Sequence, residues 1–328
     1  MNHEEAKIEF TKLFEHQMSD EQMRDFLLSL KLDEMTSVGV IAAAADVMRS
    51  FATPLPISEE LRERAIDIVG TGGDKIGSFN ISSTSSILTA ACGATVAKHG
   101  NRSITSKSGS ADVLEALGIN LTLSVEQNRR LLEEAKWCFM FAQNHHPAMK
   151  FIMPVRKSID IKTVFNVLGP LTNPANIKKY MLGVFDKAFI PKMVEALKIN
   201  GAESALVVSS QEGMDEIGIS GITHATRLKD NRFEKFEIDP EDYGLKYAPL
   251  EAIAGGDARE NAKIMFNIFD NRATDAQRDI VLLNTAASLM VDGLARDIQD
   301  GLEMGREALA NAYAKKKLKQ IIELSNKL

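Results

Sequence analysis

The stretch DIVGTGGDKIGSFNISSTSS, Asp67 to Ser86, sets glycines, an aspartate and a run of hydroxyl residues between two apolar segments. It enters from Ile66–Val69, which reads as a buried strand, and leaves into ILTAACGA, which reads as a helix. Gly70, Gly72 and Gly73 carry no Cβ, so the backbone there can turn sharply and lie close to a ligand. Asn80, Ser82, Ser83 and Thr84 fall where the helix begins, beside free N–H groups and the positive end of the helix dipole. That combination suits a phosphate. The stretch has neither the Gly-Lys-Ser/Thr of a Walker A loop nor the GxGxxG spacing of a dinucleotide fold. A tight turn with an ordinary N-cap would use the same residue types, so both readings stand at this point.

Three further clusters carry chemistry. KHGNRSITSKSGSADVLEALG, Lys98 to Gly118, again follows an expected strand and ends in a helix. Lys98, His99, Asn101 and Arg102 supply donors there, and Thr105, Ser106, Ser108 and Ser110 supply hydroxyls. Two such turns at one sheet edge would form an anion pocket, the usual ligand position in open α/β sheets. A solvated basic loop is the alternative. HHPAMKFIMPVR ends in Arg156, whose planar fork can hold a carboxylate through two hydrogen bonds. A surface arginine, and a structural histidine at His146, would look the same in sequence. GMDEIG sets Asp215 beside Glu216 after a strand and a glycine. Oxygen ligands of this kind suit magnesium, which keeps several waters and bridges to phosphates.

These turns need elements to position them. From Glu4 to about Met48 the pattern is helical: Ile8, Leu13 and Phe14 recur at helical spacing, Ser19-Asp20-Glu21 starts a second helix, and VGVIAAAADVMRS reads as a third. FATPLPIS breaks the pattern with two prolines and links a small helical domain to the main one. Beyond Ile66, short apolar runs (ATVAKH, FMFAQ, MLGVF, SALVVSS) alternate with helices, which predicts an α/β domain with a mostly parallel sheet. SIDIKTVFNVLGPLTNPA, interrupted by Pro170 and Pro174, is expected to cross back toward the helical domain. HATRLKDNRFEKFEID alternates like an antiparallel hairpin, and a lysine-rich helix closes the chain.

The chain has 328 residues, 45% hydrophobic and 26% charged, enough for two or three domains with a sizeable core. Its net charge of −6 provides no overall field for nucleic acid or an anionic membrane, so neither partner is expected. Anionic substrates would have to be held locally. Cys92 and Cys138 lie in apolar surroundings without metal-like spacing and read as buried thiols of a reducing compartment. The charged start MNHEEAKIEF has no apolar signal core, which places the chain in the cytoplasm.

Taken in order, GTGGD, NIS, KHGNR, SGSADVLEALG, HPAMK, VR, FNVLGPLTNPA, DE and RDIVLLN resemble the anthranilate phosphoribosyltransferases over nearly the whole chain. The resemblance implies transfer of a phosphoribosyl group from phosphoribosyl pyrophosphate to the amino group of anthranilate, in tryptophan biosynthesis. It implies a fold like that of nucleoside phosphorylases: a helical domain over residues 1–65, joined by part of 157–180, and an α/β domain over 66–328. It implies that Gly70, Gly73, Asp74, Ser78, Asn80, Ile81, Ser82 and Ser83 line the donor site. Lys98, His99, Gly100, Asn101, Arg102, Ser103, Ile104, Thr105, Ser106 and Ser110 would line it from the second turn. Gly70, Asn101 and Arg156 would contact anthranilate, with His99 and His146 nearby. Two magnesium ions would be held, one by Ser82 and Glu216 and one by Asp215 and Glu216. A homodimer would form through the helical domain. The chain has Ile159-Asp160 and Lys162 where the family usually has a leucine-glycine pair and an arginine. No nucleophilic side chain and no covalent intermediate is expected, since the aromatic amine is neutral near pH 7 and catalysis would rest on electrostatics and positioning; no residue is singled out as a general base.

Overall fold

A computed structural model describes residues 1–103 and 107–328. The chain opens with α1 (His3–Phe14) and α2 (Asp20–Ser29), each started by a capping box, Asn2 with Glu5 and Ser19 with Gln22. α3 (Val38–Ser50) is apolar over most of its surface and is buried beneath α1. Residues 53–58 are non-helical, as the prolines require, and lead to the short α4 (Glu59–Arg64).

The α/β part then begins. In chain order it contains β1 (Ala65–Gly70), α5 (Ile81–Ala91), β2 (Thr95–Gly100), α6 (Ser110–Ala116), α7 (Val125–Ala135) and β3 (Trp137–Phe141). The chain continues through α8 (Ala142–His145), α9 (Met149–Lys157) and α10 (Phe165–Leu168) to β4 (Lys179–Gly183), α11 (Ile190–Ile199) and β5 (Ser204–Ser210). β6 (Thr223–Lys229) and β7 (Arg232–Ile238) form the expected hairpin, with Asp230 and Asn231 both at positive φ in its two-residue turn. α12 (Ala258–Phe269), α13 (Asp275–Asp292), α14 (Ile298–Ala310) and α15 (Tyr313–Lys327) complete the chain. Among the described residues no helix is long and apolar enough to cross a membrane.

The sheet has the order β3-β2-β1-β4-β5-β6-β7, parallel from β3 to β5 and antiparallel from β5 outward. Between β1 and β4 the order of winding reverses, which opens a crevice beyond their C-terminal ends. α13 lies buried along almost its whole length against α5, α14 and the central strands. Segment 158–175 does cross to the helical part: Lys31 bridges Thr163, and the Leu32 N–H donates to the Lys162 carbonyl at 2.9 Å. α9 packs on α2, and Arg24 donates to Ser158 Oγ at 2.9 Å. Cys138 is buried as expected, whereas Cys92, at the end of α5, is only partly so.

Candidate active site

At the C-terminal ends of β1 and β4, Gly70 pairs with Gly183. The turn after β5 drops onto this pair. A Cβ on Gly70 would lie 2.1 Å from Asp215 Oδ2, and one on Gly183 would lie 1.7 Å from the Asp215 carbonyl oxygen. Two glycines far apart in sequence therefore make a notch that seats Asp215. The Gly72 N–H donates to Asp215 Oδ2 at 2.7 Å, and the Ser82 N–H at the start of α5 donates to Glu216 Oε1 at 3.1 Å. One of the free amides read from sequence as a phosphate donor is thus already held by a carboxylate. Asn80 sits at the N-cap position but its side chain makes no cap bond. Its Nδ2 reaches instead to the Ser108 carbonyl at 3.2 Å, joining the first turn to the second.

Charge is concentrated at this notch. Burial raises the Asp215 carboxyl above its usual range and Asp74 adds repulsion. Burial raises Glu216 as well, and Asp215 adds to it. Beneath them the fully buried Lys98 donates from Nζ to the Ile68 carbonyl and stands 3.5 Å from Ser82 Oγ. Burial lowers its ammonium, while Asp67, Glu216 and Asp215 oppose that shift. Neighbouring carboxylates that resist ionising together are the donor set a divalent cation would complete. Among the described residues no three acidic, histidine or cysteine side chains converge as a closed ligand shell. The residues therefore fit an ion that keeps waters and takes oxygens from a phosphate, which is magnesium's habit.

The second turn is only partly described, since Ile104, Thr105 and Ser106 lie outside the described residues. Arg102 is engaged by α6. Its guanidinium is taken by Asp112 at 2.8 Å and Glu115 at 2.6 Å, on α6. The Ser103 and Gly109 N–H groups both donate to Asp112, and Ser110 opens α6. Asn101 Oδ1 accepts from the Arg102 N–H at 2.8 Å. Gly100 lies so close to the Phe139 ring that a Cβ there would stand 2.7 Å from it. Ser78 bridges Ala254, so the first turn is pinned from the far side of the chain.

His99 and His146 come together, their ring centroids 5.2 Å apart. Both are buried: the His99 Nδ1–H donates to the Gly169 carbonyl at 3.2 Å, and its Nε2 has no partner among the described residues. Burial pushes His146 down to about 4 and His99 well below the usual histidine range, so both rings are neutral. Arg156 is held by α10. It donates to the Phe165 carbonyl at 3.3 Å and lies over the Phe165 ring, with no ion pair to any carboxylate among the described residues. α10 and Gly169 connect the two groups along the chain.

Four participating residues had no assignment from sequence. Gly183 lay inside an expected strand, and only its pairing with Gly70 makes it part of the site. Asp67 and Asn173 form a buried knot: Asp67 accepts from the His99 N–H at 3.1 Å and from Asn173 Nδ2 at 2.8 Å. Asn261 on α12 donates to Asn80 Oδ1 at 2.9 Å, and no local signal marks it.

The family model described as "Glycosyl transferase family, a/b domain" matches residues 62–315. A relative from Polynucleobacter asymbioticus, named anthranilate phosphoribosyltransferase, is 44% identical over 98% of this chain and 94% of its own length. The crystal structure of anthranilate phosphoribosyltransferase from Thermus thermophilus matches with a TM-score of 0.92 at 36% identity, over 99% of this chain and 96% of that one. The Saccharomyces cerevisiae anthranilate phosphoribosyltransferase, in complex with PRPP and Mg, shares the fold with a TM-score of 0.87 at 24% identity, over 99% and 93% of the two chains.

Proposed function

The chain belongs to the anthranilate phosphoribosyltransferase family, and from that premise we propose how its crevice carries the reaction. The reaction moves the phosphoribosyl group of 5-phosphoribosyl 1-pyrophosphate to the amino group of anthranilate, giving N-(5-phosphoribosyl)anthranilate and pyrophosphate, a step of tryptophan biosynthesis. It uses magnesium.

The donor lies along the notch, with its phosphates between the Gly70–Ser83 turn and the Lys98–Ser110 turn. Ser82 with Glu216, and Asp215 with Glu216, would hold two magnesium ions, which would supply positive charge to the leaving pyrophosphate. Lys98, whose ammonium burial disfavours and Asp67, Glu216 and Asp215 favour, would add positive charge at the same end of the ribose. Arg156 takes the anthranilate carboxylate, while Gly70 and Asn101 bound the acceptor from the sheet side. The neutral His99 and His146 pack beside the ring without adding a charge that would compete with Arg156. No side chain is needed as a nucleophile, because the amine attacks as the neutral species.

Residues 1–65, with part of 157–180, form the helical domain, and 66–328 the donor-binding domain. Exposed Ile8 and Met35, 57% and 89% accessible, support the helical domain as the contact of a homodimer. The chain works in the cytoplasm. The observation that carries the reading is the Gly70–Gly183 notch, which fixes the acid pair against the glycine turn and the start of α5. Adding phosphoribosyl pyrophosphate and magnesium to the enzyme with anthranilate should abolish anthranilate fluorescence. Fluorescence that persists with magnesium present would overturn the reading.

A further inference from the structure

We propose that Asn261 is a positioning residue for the donor: it fixes the Asn80 amide so that its N–H face, and not its carbonyl, turns to phosphoribosyl pyrophosphate. The inference rests on the reading above that Asn80 touches the donor.

Asn261 is 2% exposed on α12 and makes two hydrogen bonds of opposite sense. The Gly256 N–H donates to its Oδ1 at 2.8 Å, and its Nδ2 donates to Asn80 Oδ1 at 2.9 Å. A backbone N–H can only donate, so the oxygen of Asn261 must face Gly256 and its NH₂ must face Asn80. Asn80 must then offer its oxygen to Asn261. The Ser108 carbonyl, which can only accept, reinforces that orientation by taking a hydrogen bond from the Asn80 NH₂ at 3.2 Å. Only one hydrogen bond from that NH₂ is seen among the described residues, and the partly buried Asn80 keeps its second hydrogen for the donor in this reading. An anionic donor rich in phosphate and hydroxyl oxygens is attracted by an N–H and repelled by a carbonyl.

The relay starts from a rigid point. Ile253 to Gly255 run alongside Gly77 to Phe79, with the Phe79 N–H on the Ile253 carbonyl at 3.1 Å and the Gly255 N–H on the Gly77 carbonyl at 2.8 Å. A Cβ on Gly255 would lie 2.7 Å from the Phe79 backbone, so the two segments are in close contact. Gly256 follows directly, and its amide direction is set by that pairing. Asn80 is meanwhile withheld from capping α5, a role its position and type suit. Its side chain serves the relay instead.

The test is steady-state kinetics on the purified enzyme with Asn261→Ala, Asn261→Asp, Asn80→Ala and the Asn80→Ala/Asn261→Ala double variant. Asn261→Ala should raise the KM for phosphoribosyl pyrophosphate about 3- to 10-fold, the range of one hydrogen bond, and leave the KM for anthranilate within about twofold. Asn261→Asp keeps the size and still accepts from Gly256, but sets an acceptor against Asn80 Oδ1. The amide should turn over, and the donor KM should rise at least as far with an unchanged melting temperature. In the Asn80→Ala background, Asn261→Ala should add nothing, the signature of one coupled unit. Losses that strike both substrates equally and follow the melting temperature would make Asn261 merely structural and overturn the inference. An Asn80→Ala enzyme that loses donor affinity beside unaffected Asn261 variants would overturn the inference alone. An Asn80→Ala enzyme with an unchanged donor KM would overturn the donor site and the inference together.

Discussion

Arg156 is a partly buried cation without a carboxylate partner among the described residues, and burial lowers the pKa of its guanidinium. A charge in that position is an incomplete pair that an acceptor carboxylate completes. Arg156→Ala should remove a charged hydrogen bond of roughly 1.5–3 kcal/mol, or about 10- to 150-fold in the use of anthranilate. The donor's KM should hardly move. Paired titrations of the two substrates check this; a worsened donor KM with anthranilate untouched would place Arg156 at the phosphates. His146 makes a prediction of another kind. Its ring is pushed down to about 4, first by burial and then by the neighbouring His145, from an ordinary value of 6.5. The unfolded chain therefore takes up a proton between those values that the folded chain refuses. Stability from this residue is complete above about pH 6.5 and is lost as the pH falls toward 4, a difference of about 3 kcal/mol at most. Urea unfolding between pH 7 and 4 should show a shallower loss for His146→Gln than for the parent chain. Parallel curves would mean that His146 is not neutral in the fold.

Among the elements, the paired ends of β1 and β4 govern the acid turn. Gly183 has no positive φ; what it requires is space, because the Asp215 backbone occupies the place of its Cβ. A backbone carbonyl cannot rotate away as a side chain can. Gly183→Ala should displace Asp215 and Glu216, cutting kcat and raising the magnesium concentration needed for half activity. Gly93→Ala is the control. Gly93 has a φ of +109° with open space around it, so that substitution should cost about 1–2 kcal/mol of strain and leave the magnesium dependence alone. A Gly183→Ala enzyme with parental magnesium dependence would show that the acid turn does not depend on the notch. Elements fixed by local chemistry were legible beforehand. The start of α2 at Ser19 and the hairpin of β6 and β7 need only residues a few positions apart.

For the molecule as a whole, the donor turns sit on the sheet while Arg156 lies at the end of α9, which packs on α2 of the helical part. The non-helical segment 53–58 is tied to α8 and to the crossing segment: the Thr53 N–H donates to the His145 carbonyl at 2.7 Å and the Leu55 N–H to the Pro174 carbonyl at 3.0 Å. We predict that binding both substrates draws the helical part and the sheet part together. Solution scattering with donor, magnesium and an unreactive anthranilate analogue should show a smaller radius of gyration than the free enzyme. An unchanged profile would argue for a preformed pocket.

The sequence by itself determined the strand–glycine turn–helix units at Ile66–Ala91 and Val96–Ala116, the residue types in each turn, and the alternation that makes the sheet mostly parallel. Those features follow from sterics and hydrogen bonds within a few residues, where periodicity and turn chemistry speak directly. The tertiary structure alone decided which groups meet. Gly70 faces Gly183, Glu216 reaches the Ser82 N–H, Arg102 pairs with Asp112 and Glu115, and Asn261 holds Asn80. Most of these pairs join residues more than a hundred positions apart, brought together by the order of strands. A glycine needed for space and an amide needed for its orientation look like any other until that order is set, because their roles lie in neighbours the local pattern does not encode.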